Sequence, residues 1–265
     1  MMLDVNHVYK TFHPDTINER RALAGVDLHL EEGDFVTVIG GNGAGKSTLL
    51  NAVAGVWPVD GGSIVIDGND ITGLPDYKRA PFIGRVFQDP MMGTAPDMQL
   101  EENLALAYRR GKKLGLRWHI NREERDMYRE RLRELNLGLE DRLTTKVGLL
   151  SGGQRQAVTL LMASLQKPRL LLLDEHTAAL DPATAAKVLE LSDRIVQENG
   201  LTTMMITHNM KDAIRHGNRL IMMNKGEIIF DCRGEEKAKL TVEDLLEKFA
   251  QISGSTLDND RALLG

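Results

Sequence analysis

Phe35-Val36-Thr37-Val38-Ile39 runs directly into Gly40-Gly41-Asn42-Gly43-Ala44-Gly45-Lys46-Ser47, and Thr48-Leu49-Leu50 follows. The first five residues are mostly apolar or β-branched, which indicates a buried strand. The next eight match the pattern G-x-x-x-x-G-K-[ST] in full, and the last three open a helical pattern. A strand, a glycine-rich turn and a helix in this order predict a phosphate-binding loop.

The chemistry of phosphate binding explains the composition of this loop. Backbone N–H groups must converge on a phosphate, which requires residues without bulky side chains, and the start of a helix adds unpaired donors. We expect Lys46 to reach the β- and γ-phosphates of a nucleotide and Ser47 to offer its hydroxyl to Mg²⁺. The predicted nucleotide-binding residues here are Gly41, Asn42, Gly43, Ala44, Gly45, Lys46, Ser47 and Thr48. The loop alone does not distinguish kinases, GTPases and ATPases.

The surrounding pattern is that of a mixed α/β domain. Leu170–Leu173 and Thr203–Ile206 read as buried strands, and each is followed by a turn and a longer amphipathic stretch. That order favours a mainly parallel central sheet. Antiparallel strands are expected at Gly62–Gly68, in a hairpin of Leu220–Met223 with Glu227–Phe230, and at Leu3–Val8 on a sheet edge.

Strand signals give way to helical spacing between Met98 and Leu165, as in Leu100–Tyr108. Asn121 is suited to cap a helix that extends to Leu135. We therefore expect one domain with a P-loop core, an antiparallel β subdomain, an inserted helical subdomain and a helical tail. The predicted bounds are 1–97 with 166–232 for the core and β subdomain, 98–165 for the helical subdomain, and 233–265 for the tail.

Two carboxylates, Asp174 and Glu175, end the apolar run that begins at Leu170. Ligands in α/β sheets bind at the carboxyl ends of the parallel strands. Asp174 can hold Mg²⁺ there, directly or through water, and Glu175 can polarise an attacking water as general base. The pair therefore predicts nucleotide hydrolysis. Considered by itself, it also fits a solvated acidic turn.

Leu150-Ser151-Gly152-Gly153-Gln154 lies shortly before the acidic pair and repeats the chemistry of a phosphate site. It offers a hydroxyl, two glycines and the start of a helix. Ser151 and Gln154 also fit a capping box, and the two roles are compatible. With this motif the sequence resembles the ATP-binding subunits of ABC transporters over nearly its whole length. The resemblance implies that Ser151, Gly152, Gly153 and Gln154 act in trans, on the γ-phosphate held by a second copy.

Further residues match functional positions of that family. By resemblance, Gln88 links Mg²⁺ and the attacking water to the helical subdomain, and Asp181 belongs to a loop that crosses the dimer interface. His208 would contact the γ-phosphate and orient the water together with Glu175. The catalytic residues implied are Glu175, His208 and Gln88. The metal ligands implied are Ser47, Gln88 and Asp174.

One further position matches an aromatic residue of the family, and another differs from the family pattern. Phe12 stands where the family has a ring that stacks on adenine, with Tyr9 as the alternative. After the acidic pair the family most often has proline, whereas this chain has His176, for which we expect a surface or turn role. The basic run 109–117 suits anionic lipid headgroups or a solvated loop.

The composition of the chain bears on its binding partners and on its cellular compartment. The 265 residues carry a net charge of -5, which argues against a general nucleic-acid binder, and the single cysteine fits a reducing compartment. No apolar run approaches the ~18 residues that a membrane helix needs. We therefore expect a peripheral protein at the cytoplasmic face of the membrane, which acts on it through partners.

The resemblance implies a Mg-dependent ATPase that energises uptake of a small solute, amino acids and aromatic amino acids among the options. Its implied partners are a second copy of the chain, integral permease subunits and an extracytoplasmic solute-binding protein. The alternatives are an exporter ATPase, a soluble ABC ATPase that acts on ribosomes or DNA, and a P-loop kinase. A kinase does not need Leu150–Gln154. The solute and the direction of transport are not encoded here, because the permease and the binding protein determine them.

Overall fold

The computed structural model describes residues 2–112 and 120–253. The chain divides at 79/80 and 199/200 into two compact units. The outer parts form the first unit, and residues 80–199 form the second. The finer subdomain bounds at 97/98, 165/166 and 232/233 stay a prediction.

The elements alternate between strands and helices, which confirms the predicted mixed α/β class. Before residue 80 they are β1 (Leu3–Phe12), β2 (Arg20–Leu30), β3 (Phe35–Ile39), α1 (Lys46–Ala54), β4 (Gly61–Ile66), β5 (Asn69–Asp70) and α2 (Asp76–Arg79). From 80 to 199 they are β6 (Ile83–Val86), α3 (Leu100–Tyr108), α4 (Arg122–Arg133), a 3₁₀ turn (Val147–Leu149), α5 (Gly152–Ser164), β7 (Leu170–Asp174) and α6 (Pro182–Asn199). After 199 they are β8 (Thr202–Ile206), α7 (Met210–Arg215), β9 (Arg219–Asn224), β10 (Glu227–Arg233), α8 (Glu235–Ala238) and α9 (Val242–Ser253).

The first unit contains an antiparallel sheet in the order β2-β1-β4-β5. The prediction that Leu3–Val8 forms an edge strand is wrong, because β1 pairs on both sides. Leu3 lies opposite Leu30 on one neighbour and Ile66 on the other. All three side chains are buried. Alternation of apolar residues reveals one buried face of a strand but not the number of its neighbours.

The first unit also contains β9, β3 and β8 as parallel neighbours, with β10 antiparallel to β9. This confirms the predicted hairpin and the mainly parallel core. The C-terminal helix α9 packs Leu245 and Phe249 into an apolar cluster with Ile39, at the end of β3, and Met222 of β9. The last helix therefore contacts the strand that leads into the phosphate-binding loop.

In the second unit β6 and β7 form a parallel pair, and Val86 lies opposite Leu173. The remaining elements of the unit are helical, as predicted. Asn121 caps α4 by accepting a hydrogen bond from the N–H of Glu124, at 2.8 Å. Part of the basic run, residues 113–117, lies outside the described residues. No helix within the described ranges is long and apolar enough to cross a membrane.

Candidate nucleotide site

The phosphate-binding loop joins β3 to α1, as the motif predicts, and its glycines are required by close backbone contacts. Gly40 has φ +148°, and a Cβ built on it would lie 2.2 Å from the carbonyl oxygen of Met223. Gly45 has φ +106°, and its Cβ would lie 2.6 Å from the carbonyl oxygen of Ala22. Any larger residue at either position forces the backbone to move. The loop is therefore held against β2 and β9 by its own composition.

The lysine of the loop is buried, and its ammonium group already lies over the loop carbonyls. Lys46 Nζ donates to the carbonyl oxygens of Gly40, at 2.7 Å, and Gly41, at 3.2 Å. Ser47 is exposed at the first turn of α1. The cation and the hydroxyl are thus both at the helix N-terminus, where an anion is favoured by the helix dipole and unpaired N–H groups.

The two aromatic candidates differ in their surroundings. The ring of Tyr9 packs within the antiparallel sheet, since a Cβ on Gly25 would lie 2.9 Å from its hydroxyl oxygen. Phe12 ends β1, and its ring meets Trp57 edge to face at 4.9 Å between centroids. Lys10 Nζ lies 5.7 Å from the centroid of the same ring. Phe12 at the strand end is thus the better candidate for base stacking.

Two contacts to the loop were not predicted. Arg20 Nη2, at the start of β2, donates to the carbonyl oxygen of Gly43 at 3.1 Å. Phe249 of α9 lies against Gly41, because a Cβ built on that glycine would be 3.6 Å from Cζ of the ring. Both partners are far from the loop in sequence, and no local pattern indicates either contact.

His208 lies two residues beyond the end of β8, at the carboxyl end of the strand. Strands β3 and β8 are parallel, and Val38 lies opposite Ile206. The N–H of Thr207 donates to the carbonyl oxygen of Val38, at 3.2 Å, which continues the ladder to the residue before the histidine. The first unit therefore brings the phosphate-binding loop and His208 to one end of its parallel strands.

The second unit brings the other predicted catalytic residues together in the same way. Gln88 lies two residues beyond β6. Asp174 ends β7, which runs parallel to β6, and Glu175 follows it. Gln88 is exposed, whereas the two carboxylates are half-buried. Glu175 has φ +43°, a left-handed conformation that is uncommon for a residue with a side chain and that recurs at functional sites.

Arg85 is a neighbour of this carboxylate edge that the sequence did not indicate. Its Nη2 lies 3.4 Å from Oδ2 of Asp174, and its guanidinium lies 4.4 Å from the ring centroid of Phe87. Burial lowers the pKa of Arg85, and the charge of Asp174 opposes that shift. Arg85 thus supplies positive charge beside the carboxylate at the strand end.

The signature motif begins α5, and its capping box is formed as predicted. The N–H of Gln154 donates to Ser151 Oγ, and the N–H of Ser151 donates to Gln154 Oε1, both at 3.2 Å. Ser151 and Gly152 are exposed. These groups present a hydroxyl and a helix N-terminus to solvent, the arrangement that accepts an anion.

The loop that carries Asp181 packs directly on the signature helix. Asp181 Oδ1 accepts from the N–H of Thr184, at 3.1 Å, and these hydrogen bonds lower the pKa of the exposed carboxyl. A Cβ on Gly153 would lie 2.2 Å from Cγ2 of Thr184. Gly153 is therefore also a packing glycine, which lets α5 and α6 approach each other.

His176 lies in the turn after β7, which agrees with the expected turn role, but it is buried, so the alternative of a surface role is wrong. Its Nε2 and Ser192 Oγ are 2.9 Å apart. Because the Ser192 hydroxyl donates to the carbonyl oxygen of Val188, it accepts from the histidine. His176 thus fastens the turn after the acidic pair to α6.

The predicted metal ligands have the chemistry of a Mg²⁺ site. The side chains of Ser47, Gln88 and Asp174 offer a hydroxyl, an amide and a carboxylate, and Mg²⁺ prefers such oxygen donors, with one or two carboxylates completed by nucleotide phosphates and water. Ser47 and Gln88 are exposed, so their oxygens are accessible to a ligand. Each of these donors, taken by itself, suits the ion.

Comparison with known proteins agrees with this geometry. The ABC transporter family matches residues 23–178, more than half of the chain. A "Tyrosine transport ATP-binding protein" of Clostridioides difficile is 47% identical over 94% of this chain and 98% of its own length. A xylose/arabinose import ATP-binding protein of Sulfolobus acidocaldarius is 33% identical over 94% and 95%.

Solved structures show the same fold. A dimeric ATP-binding cassette in a post-hydrolysis state, bound to ADP and Pi, has a TM-score of 0.75 and 31% identity, covering 88% of this chain and 98% of that one. The ADP conformation of another ABC transporter cassette has a TM-score of 0.77 and 28% identity, covering 96% and 99%. The chain therefore belongs to the ABC transporter family as an ATP-binding, ATP-hydrolysing subunit.

Proposed function

We propose that this chain energises the uptake of a small solute, an amino acid of the tyrosine type, by a membrane permease. The main support is the 47% identity to the tyrosine transport ATP-binding protein over 98% of that protein's length. Other relatives are named for import of sugars, sulfonates and polyamines. Import is therefore favoured over export, and the amino-acid class rests on the first of these relatives.

The proposed reaction centre is shared between two copies. One copy holds ATP with its phosphate-binding loop and with Phe12, and the other lends Ser151 and its helix N-terminus to the γ-phosphate. The exposure of Ser151 and Gly152 at the start of α5 supports this role, because both residues are accessible to a second copy. A structural relative is described as dimeric. A two-fold arrangement uses the same patch twice and gives two identical centres.

Glu175 is proposed as the general base and His208 as the residue that orients the water and contacts the γ-phosphate. Lys46 neutralises charge on the β- and γ-phosphates. Mg²⁺, when bound, supplies further charge neutralisation on the phosphate oxygens, and Ser47, Gln88 and Asp174 would hold it. Closure of the second copy removes bulk water from the reacting phosphate.

The remaining proposed partners follow from the transport role. Integral permease subunits receive the movement that accompanies ATP binding and hydrolysis, and a solute-binding protein delivers the solute on the outer side. The chain then works at the cytoplasmic face of the membrane. Energy is transmitted as a difference in nucleotide affinity between the open and closed dimer.

Purification of the complex from membranes tests the proposal. The permease that copurifies with the chain is reconstituted in vesicles with its binding protein, and ATP-dependent accumulation of labelled tyrosine is measured beside a sugar and a polyamine. We expect accumulation of the aromatic amino acid alone and its loss with Lys46→Ala. Uptake of another solute would overturn the amino-acid assignment, and export would overturn the direction.

A further inference from the structure

Gln156 lies on the signature helix, two residues beyond the signature itself, and its side chain is fully enclosed. Its Nε2 donates to the main-chain carbonyl oxygen of Phe87, at 3.2 Å. Phe87 is the residue directly before Gln88. The side chain of Gln156 thus connects α5 to the main chain of Phe87, next to the exposed Gln88.

The carbonyl end of the Gln156 amide is placed differently from its donor end. Gln156 Oε1 is buried, and no donor among the described residues lies within hydrogen-bond distance of it. A buried acceptor without a partner costs about 1–3 kcal/mol. An apolar side chain of the same length would remove that acceptor but would leave the Phe87 carbonyl oxygen without its donor, so the amide contributes little net stability and its effect lies in the position of the Phe87 main chain.

A second contact fixes the same segment farther along. A Cβ on Gly93 would lie 2.5 Å from Cγ2 of Thr159, so the main chain at Gly93 lies directly on α5. Thr159 is one turn beyond Gln156 on the same helix, and its hydroxyl donates to the carbonyl oxygen of Arg155. Residues 87–93 are therefore held at both ends by one face of the signature helix.

We propose that Gln156 is a positioning residue that fixes the segment carrying Gln88 to the signature helix. The inference rests on the proposed roles of Gln88 and Ser151. Gln88 responds to the nucleotide held by its own copy, whereas Ser151 acts on the nucleotide of the other copy. The Gln156–Phe87 hydrogen bond makes these two groups move together, so the state of one ATP is transmitted to the other reaction centre.

Gln156→Met tests the hydrogen bond without leaving a void. Methionine matches glutamine in length, lacks the Nε2 donor and removes the unpaired Oε1. The variant removes the unpaired Oε1 but also leaves the Phe87 carbonyl oxygen without its donor. Because these two effects offset, we expect the thermal unfolding midpoint of the full-length protein to stay near that of the parent. We expect kcat for ATP to fall about tenfold, because small misplacements of a reacting group carry penalties of this order or more. The nucleotide-induced rise of the unfolding midpoint, which reports binding, should be unchanged.

The matched control is Gln166→Met. Gln166 Nε2 donates to the carbonyl oxygen of Tyr108, so this variant removes the same kind of bond in the same unit, away from Gln88. Its kcat should equal that of the parent. A loss of kcat in Gln166→Met equal to that in Gln156→Met would show that any lost hydrogen bond in this unit lowers kcat. That result would overturn the proposal.

A double-mutant cycle separates positioning from a general defect. If Gln156 acts through Gln88, Gln156→Met lowers kcat in the parent but has no further effect in a Gln88→Ala background. Equal fold-losses in both backgrounds would show that Gln156 acts elsewhere and would overturn the proposal. An unchanged kcat in Gln156→Met, with a lowered kcat in Gln88→Ala, would do the same.

Hydrogen exchange tests whether Gln156 holds the segment 87–93, even if Gln88 has no role in ATP hydrolysis. Unchanged kcat in Gln88→Ala alone would remove Gln88 from the proposed reaction centre. The main-chain amides of residues 87–93 should still exchange faster in Gln156→Met, with no change in residues 160–164 of α5. Exchange at the parent rate throughout 87–93 would show that Gln156 does not hold the segment.

Discussion

Arg79 Nη1 donates to the main-chain carbonyl oxygen of Val53, at 2.8 Å, and so binds the C-terminal turn of the helix that begins in the phosphate-binding loop. The same guanidinium donates to the carbonyl oxygens of Ala52, Leu74 and Thr72, at 2.7, 2.7 and 2.9 Å. Burial lowers the pKa of Arg79, and Asp70 opposes that shift. The cation is stable there because α1 directs its unpaired carbonyls and the negative end of its dipole at it.

Arg79→Met should lower the free energy of unfolding by about 3 kcal/mol or more, because it leaves several buried carbonyl oxygens without a donor. Urea denaturation measures the change. Lys78→Met is the control, since Lys78 is exposed on the same short helix, and its free energy of unfolding should be near that of the parent. Equal stability of the two variants would show that the carbonyls of α1 find other donors.

Gly153→Ala should be destabilising by about 1–3 kcal/mol, the cost of forcing an extra methyl group into a closed contact. The new Cβ would lie 2.2 Å from Cγ2 of Thr184. Thr184→Ser removes Cγ2 and leaves the N–H that donates to Asp181. The double variant should therefore recover most of the lost thermal stability. A Gly153→Ala protein as stable as the parent, or a double variant without recovery, would rule out this contact as the reason for the glycine.

The sequence predicts those elements whose structural requirement lies in a short, continuous stretch of residues. The strand Phe35–Ile39 and its loop are found as predicted, because the apolar run and the glycine spacing are themselves the structural requirement. Three strands escaped prediction, and one of them, Asn69–Asp70, has only two residues. Arg20–Leu30 begins with two arginines and is interrupted by Gly25, and Ile83–Val86 has only four residues, two of them Gly84 and Arg85.

Contacts between distant segments could not be predicted from the pattern. Gln156 and Phe87 are 69 residues apart, and Arg20 and Gly43 are 23 apart. Neither pair leaves a periodic or motif signal, since the partner in each case is a main-chain carbonyl that any residue can supply. The burial of His176 was not predicted for a related reason: its hydrogen-bond partner, Ser192, belongs to the following helix, 16 residues away.

Cys232, the single cysteine, should be unreactive in the folded protein. Burial raises the pKa of its thiol from 9.0 to about 11, so the reactive thiolate is scarce at pH 8. A chromogenic disulfide reagent should label it slowly under native conditions and quickly in urea. Between pH 9 and 11 the unfolded chain loses a proton that the folded chain retains, so this group lowers the free energy of unfolding as the pH rises. Fast labelling of the native protein would contradict its burial.

Glu175→Gln should abolish ATP turnover while ATP is still bound. The side chains have the same shape, and an amide cannot accept the proton of the attacking water, so we expect kcat to fall about 10²-fold or more. Because the ATP that joins the two copies is no longer consumed, gel filtration with ATP should show a persistent dimer. Glu198→Gln, an exposed change on α6, should keep the parent kcat and the parent elution profile. Near-normal turnover in Glu175→Gln would exclude Glu175 as the base and direct attention to His208.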